Sequence, residues 1–454
     1  MASKNGKQPR GITGITISGF KSLREESHIE VRPLTILAGA NSSGKSSIMQ
    51  PLLLMKQTLE SSHDPGTFLL DGGNVAFSSV DQFMSRKGRD QFSDFTVTLY
   101  LSNDKSISVR YQKLIDKNGN PIVPIEMHTR DSEGDECTFK QNMSPHEIRS
   151  QIDDKLVEFF ESVDEKTADK SIVASWRVIR DRCFLLFQRF YSDEREYAGT
   201  IKVGHIDGYE DLILDAIHVP GLRGNPKRNY PAATATGPRF PSTFEYYVAG
   251  IIYYWGQSEN NRLNTLSNYL KLLGLTWKVE AKRLDDTQVE IRVGRTKQPK
   301  RGGSQDMVSI ADVGFGVSQV LPVLVALLAA EPGQLVYIEQ PELHLHPRAQ
   351  VALAQILADA ANRGVRVVAE THSSLLLLSL QTLIANGSLK PEDTILHWFQ
   401  RDEDSGNTHI TPVIPDLDGA YGDWPEDFTD VELETQKHYL DTVAEKAFGV
   451  LNGS

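Results

Sequence analysis

Apolar and polar residues alternate at the start of the chain. The stretches "ITGITISGFKS" and "HIEVRPLTILAGANSSGKSS" set this alternation against glycine turns. They predict a short β-unit feeding a buried strand over Leu34–Ala38. The run "SSIMQPLLLMKQTLE" predicts a helix that Pro51 should kink, because proline has no N–H to donate. Period-two patterns return in "DFTVTLYLSNDKSISVRYQ" and "PIVPIEMHTRD" and predict an antiparallel sheet. "SPHEIRSQIDDKLVEFFESV" opens on Ser144, Pro145 and Glu147, a capping box, with Ile148, Ile152, Leu156 and Phe159 at helical spacing. "SIVASWRVIRDRCFLLFQRFYS", from near Ser171, reads as a second helix, so the two predict a helical hairpin or lobe. No sustained heptad marks a long coiled-coil arm. Thr243–Leu275 predicts further helix, and "TWKVEAKRLDDTQVEIRVGR" a β-hairpin.

From Val308 the pattern turns α/β: a glycine turn, the apolar helix "VLPVLVALLAA", the strand "QLVYIEQ", the helix "RAQVALAQILADAANRG" and the strand "VRVVAET". The expected fold class is therefore α/β, a core split by a long insertion. Residues 10–135 form its N-terminal half with a β subdomain, and 136–275 an inserted helical lobe. Residues 276–400 form the C-terminal half, and 401–454 a tail.

Composition adds limits. The chain has 454 residues, 39% hydrophobic and 24% charged, ordinary for a soluble globular protein. Cys137 and Cys183 offer neither a disulfide framework nor a CxxC metal site, which fits a reducing cytoplasmic setting. The basic start lacks the apolar core of a signal peptide. The longest apolar run falls far short of the ~20 residues that span a bilayer. A net charge of −12 argues against coating nucleic acid through bulk charge. Two local basic stretches, "LRGNPKRNY" and "GRTKQPKRGG", read as solvated loops or as phosphate or partner contacts.

The candidate chemistry is concentrated in four motifs. "GANSSGKSS" fits G-x-x-x-x-G-K-[ST] over Gly39–Ser46. Gly39, Asn41, Ser42, Ser43, Gly44, Lys45, Ser46 and Ser47 should cradle phosphates at a helix N-terminus, with Lys45 on the β- and γ-phosphates and Ser46 on Mg²⁺. "LVYIEQPELHLHP" delivers Glu339 to a strand end, where its carboxylate can serve Mg²⁺. "VVAETHSS" brings His372 within reach of a γ-phosphate, although a lone histidine is more often structural. "ADVGFGVSQVLPVL" places Gly314, Gly316 and Ser318 at another helix N-terminus. The plain reading is a glycine turn before a core helix. The functional one is a second phosphate cradle for another copy's nucleotide, in a head-to-tail dimer or higher homo-oligomer.

On these motifs, over roughly residues 10–100 and 300–400, the chain resembles the ABC-type ATPase heads of the overcoming-lysogenization-defect, RecF and SMC kind. The series "DVGFGVSQVLPVL…IEQPELHLHP…ETHS" is similar, more narrowly, to stand-alone ATPases of bacterial anti-phage defence such as that of Septu. "GDWPEDF" (residues 422–428) is similar to the tail of another bacterial ATPase family. The resemblance implies ATP and Mg²⁺ as cofactors, a signature motif that binds the partner copy's γ-phosphate, and a histidine that senses it. "GFGVSQ" departs from the usual LSGGQ-like string, and Ser318 is the residue assigned the signature role.

In such heads a glutamate commonly follows the Walker acid; here Gln340 does, and an amide cannot take a proton from water. Glu342 can substitute from the next turn, or Gln340 and His372 can merely orient water. An engineered exchange needs no invoking. Both main readings imply a nucleotide-dependent switch rather than a fast motor. About 60 residues follow the core, below a typical domain of ~100–150. Asp416, Asp418 and Asp423 read as an acidic loop rather than a nuclease centre. The expected effector is a separate nuclease subunit; a repair ATPase acting directly on nucleic acid is the alternative, and a membrane-transport motor is disfavoured.

Overall fold

A computed structural model describes residues 10–114, 119, 121–166, 173–192, 197–203, 208–233, 237–258, 261–296 and 306–422. The chain starts with β1 (Ile12–Ser18), β2 (Ser27–Glu30) and β3 (Leu34–Gly39), then α1 (Lys45–Leu59). A small hairpin, β4 (Arg86–Lys87) and β5 (Asp90–Gln91), leads to β6 (Asp94–Leu101), β7 (Ser106–Gln112), β8 (Val123–Arg130) and β9 (Glu136–Lys140). These build a six-stranded sheet in the order β2-β1-β6-β7-β8-β9, antiparallel throughout. The period-two pattern is the cause: Phe95, Val97, Leu99 and Leu101 face the core while their neighbours do not.

The next segments depart from the expected helical lobe. The capping box at Ser144 forms, but it starts only the short α2 (Pro145–Arg149), and a separate α3 (Asp154–Lys166) follows. Ile148 and Phe160 are buried, whereas Phe159 is 58% exposed. The expected second helix is a β-hairpin, β10 (Val173–Asp181) and β11 (Phe184–Ser192), joined by β12 (Tyr197–Val203) in a three-stranded sheet. Phe184, Leu185, Leu186 and Phe187 are buried in succession, which a strand covered on both faces allows. The turn between them carries Arg182 at φ +51°. Arginine is no turn signature, so the run of β-branched and aromatic residues was the only sequence signal for strand. At this tip Arg182 donates to the carbonyls of Leu59 and Ser61, docking the hairpin on the C-terminal end of α1.

After α4 (Tyr209–Asp215), β13 (Ile217–Val219) and β14 (Tyr230–Pro231) come α5 (Val248–Gln257), α6 (Arg262–Leu272), β15 (Val279–Arg283), β16 (Gln288–Gly294) and β17 (Met307–Ser309). The expected hairpin is thus β15–β16, and the helices of Thr243–Leu275 pack into the main core rather than a separate lobe. The chain continues through α7 (Phe315–Ala329), β18 (Leu335–Glu339), α8 (Pro347–Asn362), β19 (Arg366–Thr371), α9 (Ser374–Ala385), β20 (Thr394–Arg401) and β21 (Thr408–Val413). The central sheet has the order β13-β18-β19-β3-β20-β21 and is parallel except for β21. This is an α/β architecture consistent with a P-loop nucleotide-binding core, with one strand, β19, between β3, which leads into the glycine-rich loop, and β18, which ends in Glu339.

The two faces of this sheet are separate cores. Leu34, Ile36 and Ala38 of β3 pack with α5 to α9, while Leu37 joins α1 and the antiparallel sheet on the other side. Pro51 lies inside α1, which runs on through it. No helix among the described residues is long and apolar enough to cross a membrane.

Buried histidine gives this fold a testable pH response. His397 of β20 is 1% exposed, and its Nε2 is 2.9 Å from the Glu30 carbonyl. Burial pushes its imidazole down to about 4. The unfolded chain takes up this proton below about pH 6.5 and the folded chain does not, so stability falls as pH drops through that window. In denaturant titrations between about pH 7.5 and pH 5, wild type should lose ~2 kcal/mol more than His397→Gln.

Candidate functional site

The turn after β3 is forced into shape by close packing. Gly39, Ser42 and Gly44 have φ of +142°, +61° and +103°. A Cβ on Gly39 would run into the Phe399 carbonyl, and one on Gly44 into the Thr408 hydroxyl, so neither position accepts a side chain. Thr408 of β21 clamps the loop by donating to the Ser43 carbonyl at 2.7 Å. Asn41 and Ser42 are exposed at the tip, and Ser43 and Ser47 are buried. α1 begins at Lys45, whose ammonium is held by the loop itself, donating to the carbonyls of Gly39 (3.1 Å) and Ala40 (2.8 Å). Burial lowers the Lys45 pKa, with the charges of Glu370 and Glu342 acting against that shift.

Three carboxylates, Glu339, Glu342 and Glu370, lie at or just beyond the ends of β18 and β19. Parallel register pairs Glu339 with Glu370 and Glu370 with Leu37, which sets them on the face that α1 covers. Glu370 accepts from Ser46 Oγ at 2.8 Å and from the Tyr337 hydroxyl at 3.0 Å. Burial raises its pKa; the Ser46 bond and Lys45 oppose this. Glu339 turns the other way: Oε1 is 3.2 Å from His218 Nε2, and Oε2 accepts from the Gly221 N–H at 3.0 Å. Burial pushes its carboxyl up, but His218 and Gly221 outweigh that and leave it below the ordinary range.

Glu342 is buried and accepts from Thr371 Oγ1 (2.7 Å) and from the His372 N–H (2.9 Å). It thus pins the end of β19 that presents His372. Burial and the Lys45 charge lower the His372 pKa, while a bond with the Gly39 backbone opposes this. The histidine therefore stands against the loop. Gln340 is left-handed at φ +45°, a strained conformation for this side chain, and its N–H donates to the Glu370 carbonyl at 2.8 Å.

Other expected residues lie apart. Gly314 and Gly316 sit at the N-terminus of α7, and a Cβ on Gly314 would meet open space. Ser318 Oγ donates to the Phe315 carbonyl at 2.9 Å. The described contacts of these residues are with Phe315, Leu275 and His344, not with the phosphate loop. The basic segment after β13 proves partly structural. Arg223 is 8% exposed and donates to the carbonyls of Gln319 (3.2 Å) and Glu339 (2.7 Å), tying α7 to the end of β18. Arg228 pairs with Asp312 at the surface. Asp416 Oδ1 accepts the N–H groups of Asp418 and Ala420, making a loop brace. Asp423, most of "GDWPEDF" and residues 297–303 of the second basic stretch lie outside the described residues.

Two family profiles match the chain. One, described as "AAA domain, putative AbiEii toxin, Type IV TA system", covers residues 138–379, more than half of the chain. The chain belongs to this AAA family. A second profile, "AAA ATPase domain", matches residues 11–190. No curated protein matches. Among solved structures, the chain is similar to an SMC head bound to the C-terminal winged-helix domain of ScpA, with 10% identity, 89% of this chain and 98% of that one covered, and a TM-score of 0.43. It is also similar to the SMC head of Thermotoga maritima, with 11% identity, 89% and 99% covered, and a TM-score of 0.37. An SMC head with an extended coiled coil, bound to the C-terminal domain of ScpA from Pyrococcus furiosus, matches at 12% identity, 96% and 100% covered, and a TM-score of 0.42.

The AAA domain's residues suit a nucleotide with its metal. A cleft of about 550 Å³ opens over the loop, lined by Lys21, Arg24, Lys45, Arg86, Arg401 and Glu370 among others. That volume and cationic lining are of the size and sign a nucleoside triphosphate needs. The described residues hold no cluster of three metal-ligating side chains. The Ser46 hydroxyl and the neighbouring carboxylates suit Mg²⁺, which is typically held by one or two protein groups plus phosphates. Sequence reasoning missed Glu370, His218, Tyr337 and the buried role of Arg223. Glu370 did carry a signal: a carboxylate inside the fully buried run "RVVAET" needs partners.

Lys45→Ala removes the cation of this loop. Equilibrium binding of labelled ATP should fall by ~100-fold or more, the equivalent of losing a charge-assisted contact of ~3 kcal/mol. Wild-type affinity in that variant would take the loop out of the site.

Proposed function

We propose that this AAA domain is a slowly hydrolysing, ATP-dependent switch rather than a fast motor. ATP is held by Gly39 and Asn41 to Ser47, with Mg²⁺ supplying charge neutralisation at the phosphates when bound. Lys45 binds the β- and γ-phosphates, and His372, held by Glu342, reports the γ-phosphate. The observation that carries the reading is Gln340, an amide where a proton acceptor is needed. The neighbouring carboxylates are already engaged, Glu342 with Thr371 and His372, and Glu370 with Ser46 and Tyr337. Water is then oriented rather than deprotonated, and turnover is slow.

The switch works in a homo-oligomer, with Gly314, Gly316 and Ser318 of one copy completing the nucleotide site of another. The outward-facing N-terminus of α7 and the half-exposed Phe315 support this arrangement. Its output is control of a separate nuclease subunit in cytoplasmic anti-phage defence. The family's description, with its toxin and antitoxin vocabulary, supports a role in such systems.

Single-turnover hydrolysis tests the rate claim. Gln340→Glu should accelerate wild-type turnover by ~10-fold or more, since a general base contributes ~10²–10⁴; an unchanged or slower rate removes the switch argument. Mixing tests the sandwich. A Lys45→Ala chain and a Ser318→Ala chain, each inactive alone, should regain partial turnover together, because mixed pairs keep one composite site. No recovery at any ratio counts against the shared site.

A further inference from the structure

Another cavity, of about 280 Å³, shares no lining residue with the cleft over the phosphate loop. It opens between β14, β16, α7 and the basic segment after β13, with Arg223, Lys227, Tyr230, Glu245, Tyr246 and Leu321 among its lining. We propose that this cavity is a binding site for a guanine nucleotide, separate from the ATP site, in which Glu245 and Arg223 read the edge of the base and Lys227 meets the phosphate. The proposal does not rest on the ATP reading.

Two unsatisfied atoms on side chains of its wall point to a ligand. Arg223 is 8% exposed, and its terminal nitrogens are spent on the carbonyls of Gln319 and Glu339. Its Nε is buried and has no hydrogen-bond partner among the described residues. Glu245 takes a bond from the Gly224 backbone, while its Oε1 is buried with no partner among them. Folded proteins rarely leave such atoms unpaired, because burial removes their water without replacing it. Burial lowers the Arg223 pKa and raises that of Glu245, and in each case the other's charge opposes the shift. A donor and an acceptor are thus held on one cavity, near enough to feel each other, with one unpaired atom apiece.

The chemistry of the lining narrows the ligand. Guanine carries a carbonyl beside two N–H donors on one edge, so Arg223 Nε can donate to O6 while Glu245 accepts from N1 and the exocyclic amine. Adenine offers the carboxylate one donor fewer. Tyr230 and Tyr246 supply aromatic rings of the kind on which bases pack, and the buried Val248, Ile291 and Leu321 make the apolar part of the wall. A volume near the ~300 Å³ lower end of ligand pockets suits a single base. Charge favours an anionic group on that base, since Arg223 and Lys227 outnumber Glu245 in the lining. Lys227 is exposed and Arg223 buried, which fits a phosphate at the solvent side and the base within.

The test is calorimetric binding of GMP, AMP and CMP to the full chain carrying Lys45→Ala, so that the phosphate loop does not compete. GMP should bind saturably at one site per chain. AMP should bind ~10-fold more weakly, because one hydrogen bond to the carboxylate is lost, and CMP more weakly still. Adding Glu245→Gln, which keeps the shape but removes the charge, should weaken GMP by ~10-fold or more. Tyr246→Ala, which truncates a side chain 51% exposed and so leaves the core intact, should weaken GMP by a similar factor. Lys227→Ala should weaken GMP and leave guanosine unchanged. No saturable GMP binding, equal affinity for the three nucleotides, or GMP affinity unchanged in both Glu245→Gln and Tyr246→Ala overturns the assignment and leaves the cavity to water. Labelled ATP on wild type reports on the phosphate loop separately, so either reading can fail without the other.

Discussion

Strand β19 pairs in parallel with β18 on one side and β3 on the other, and the rest of the site depends on that double pairing. A strand enclosed in this way has no water for its polar groups, so each must find a partner inside the protein. Its backbone does so through the two ladders. Its one carboxylate, Glu370, does so through Ser46 and Tyr337. One fully buried strand thereby brings the loop after β3, the acid ending β18 and the histidine beyond its own end to one edge of the sheet. That edge is the carboxyl end of the parallel strands, where open α/β sheets bind ligands.

Charge balance at this edge is set by competition rather than by isolated pairs. Among the described residues, Lys45 rests on the carbonyls of its own loop, Gly39 and Ala40. Three acids lie nearby, but each is tied to a different element: Glu339 to β13, Glu370 to α1, and Glu342 to the end of β19. Like charges held this close are tolerable because hydrogen bonds spread the cost. Arg223 adds a link of another kind. Its guanidinium bonds the carbonyls of Gln319 and Glu339, linking α7 to the end of β18.

The outer parts of the molecule brace the same centre. Thr408 clamps the phosphate loop from the antiparallel edge strand, and Arg182 docks the three-stranded sheet on the far end of α1. Lys56, fully buried within α1, pairs with Glu60 and donates to the Leu214 carbonyl at 2.7 Å. The helix that presents Lys45 and Ser46 is therefore held at both ends as well as along its apolar face. Such a mounting suits a site whose task is to hold a nucleotide in one geometry.

By itself, the sequence determined the elements whose signals are local. The glycine and lysine spacing of the phosphate loop, the apolar runs of β18 and β19, the alternation of β6 to β8 and the capping box at Ser144 all act within a few residues. Each could be read without knowing the fold. The hairpin at residues 173–192 could not, because short apolar runs satisfy helix and strand alike, and its turn rests on an arginine held by carbonyls of α1. Only tertiary structure decided what the acids do. Glu339, Glu370 and Glu342 are equivalent as letters in a motif, and which one faces Ser46 depends on the order of strands in the sheet. The same holds for Arg223, which reads as a solvated cation until the packing of α7 against β18 encloses it. Strand order and burial are set by contacts far apart in the chain, and one-dimensional spacing does not carry them.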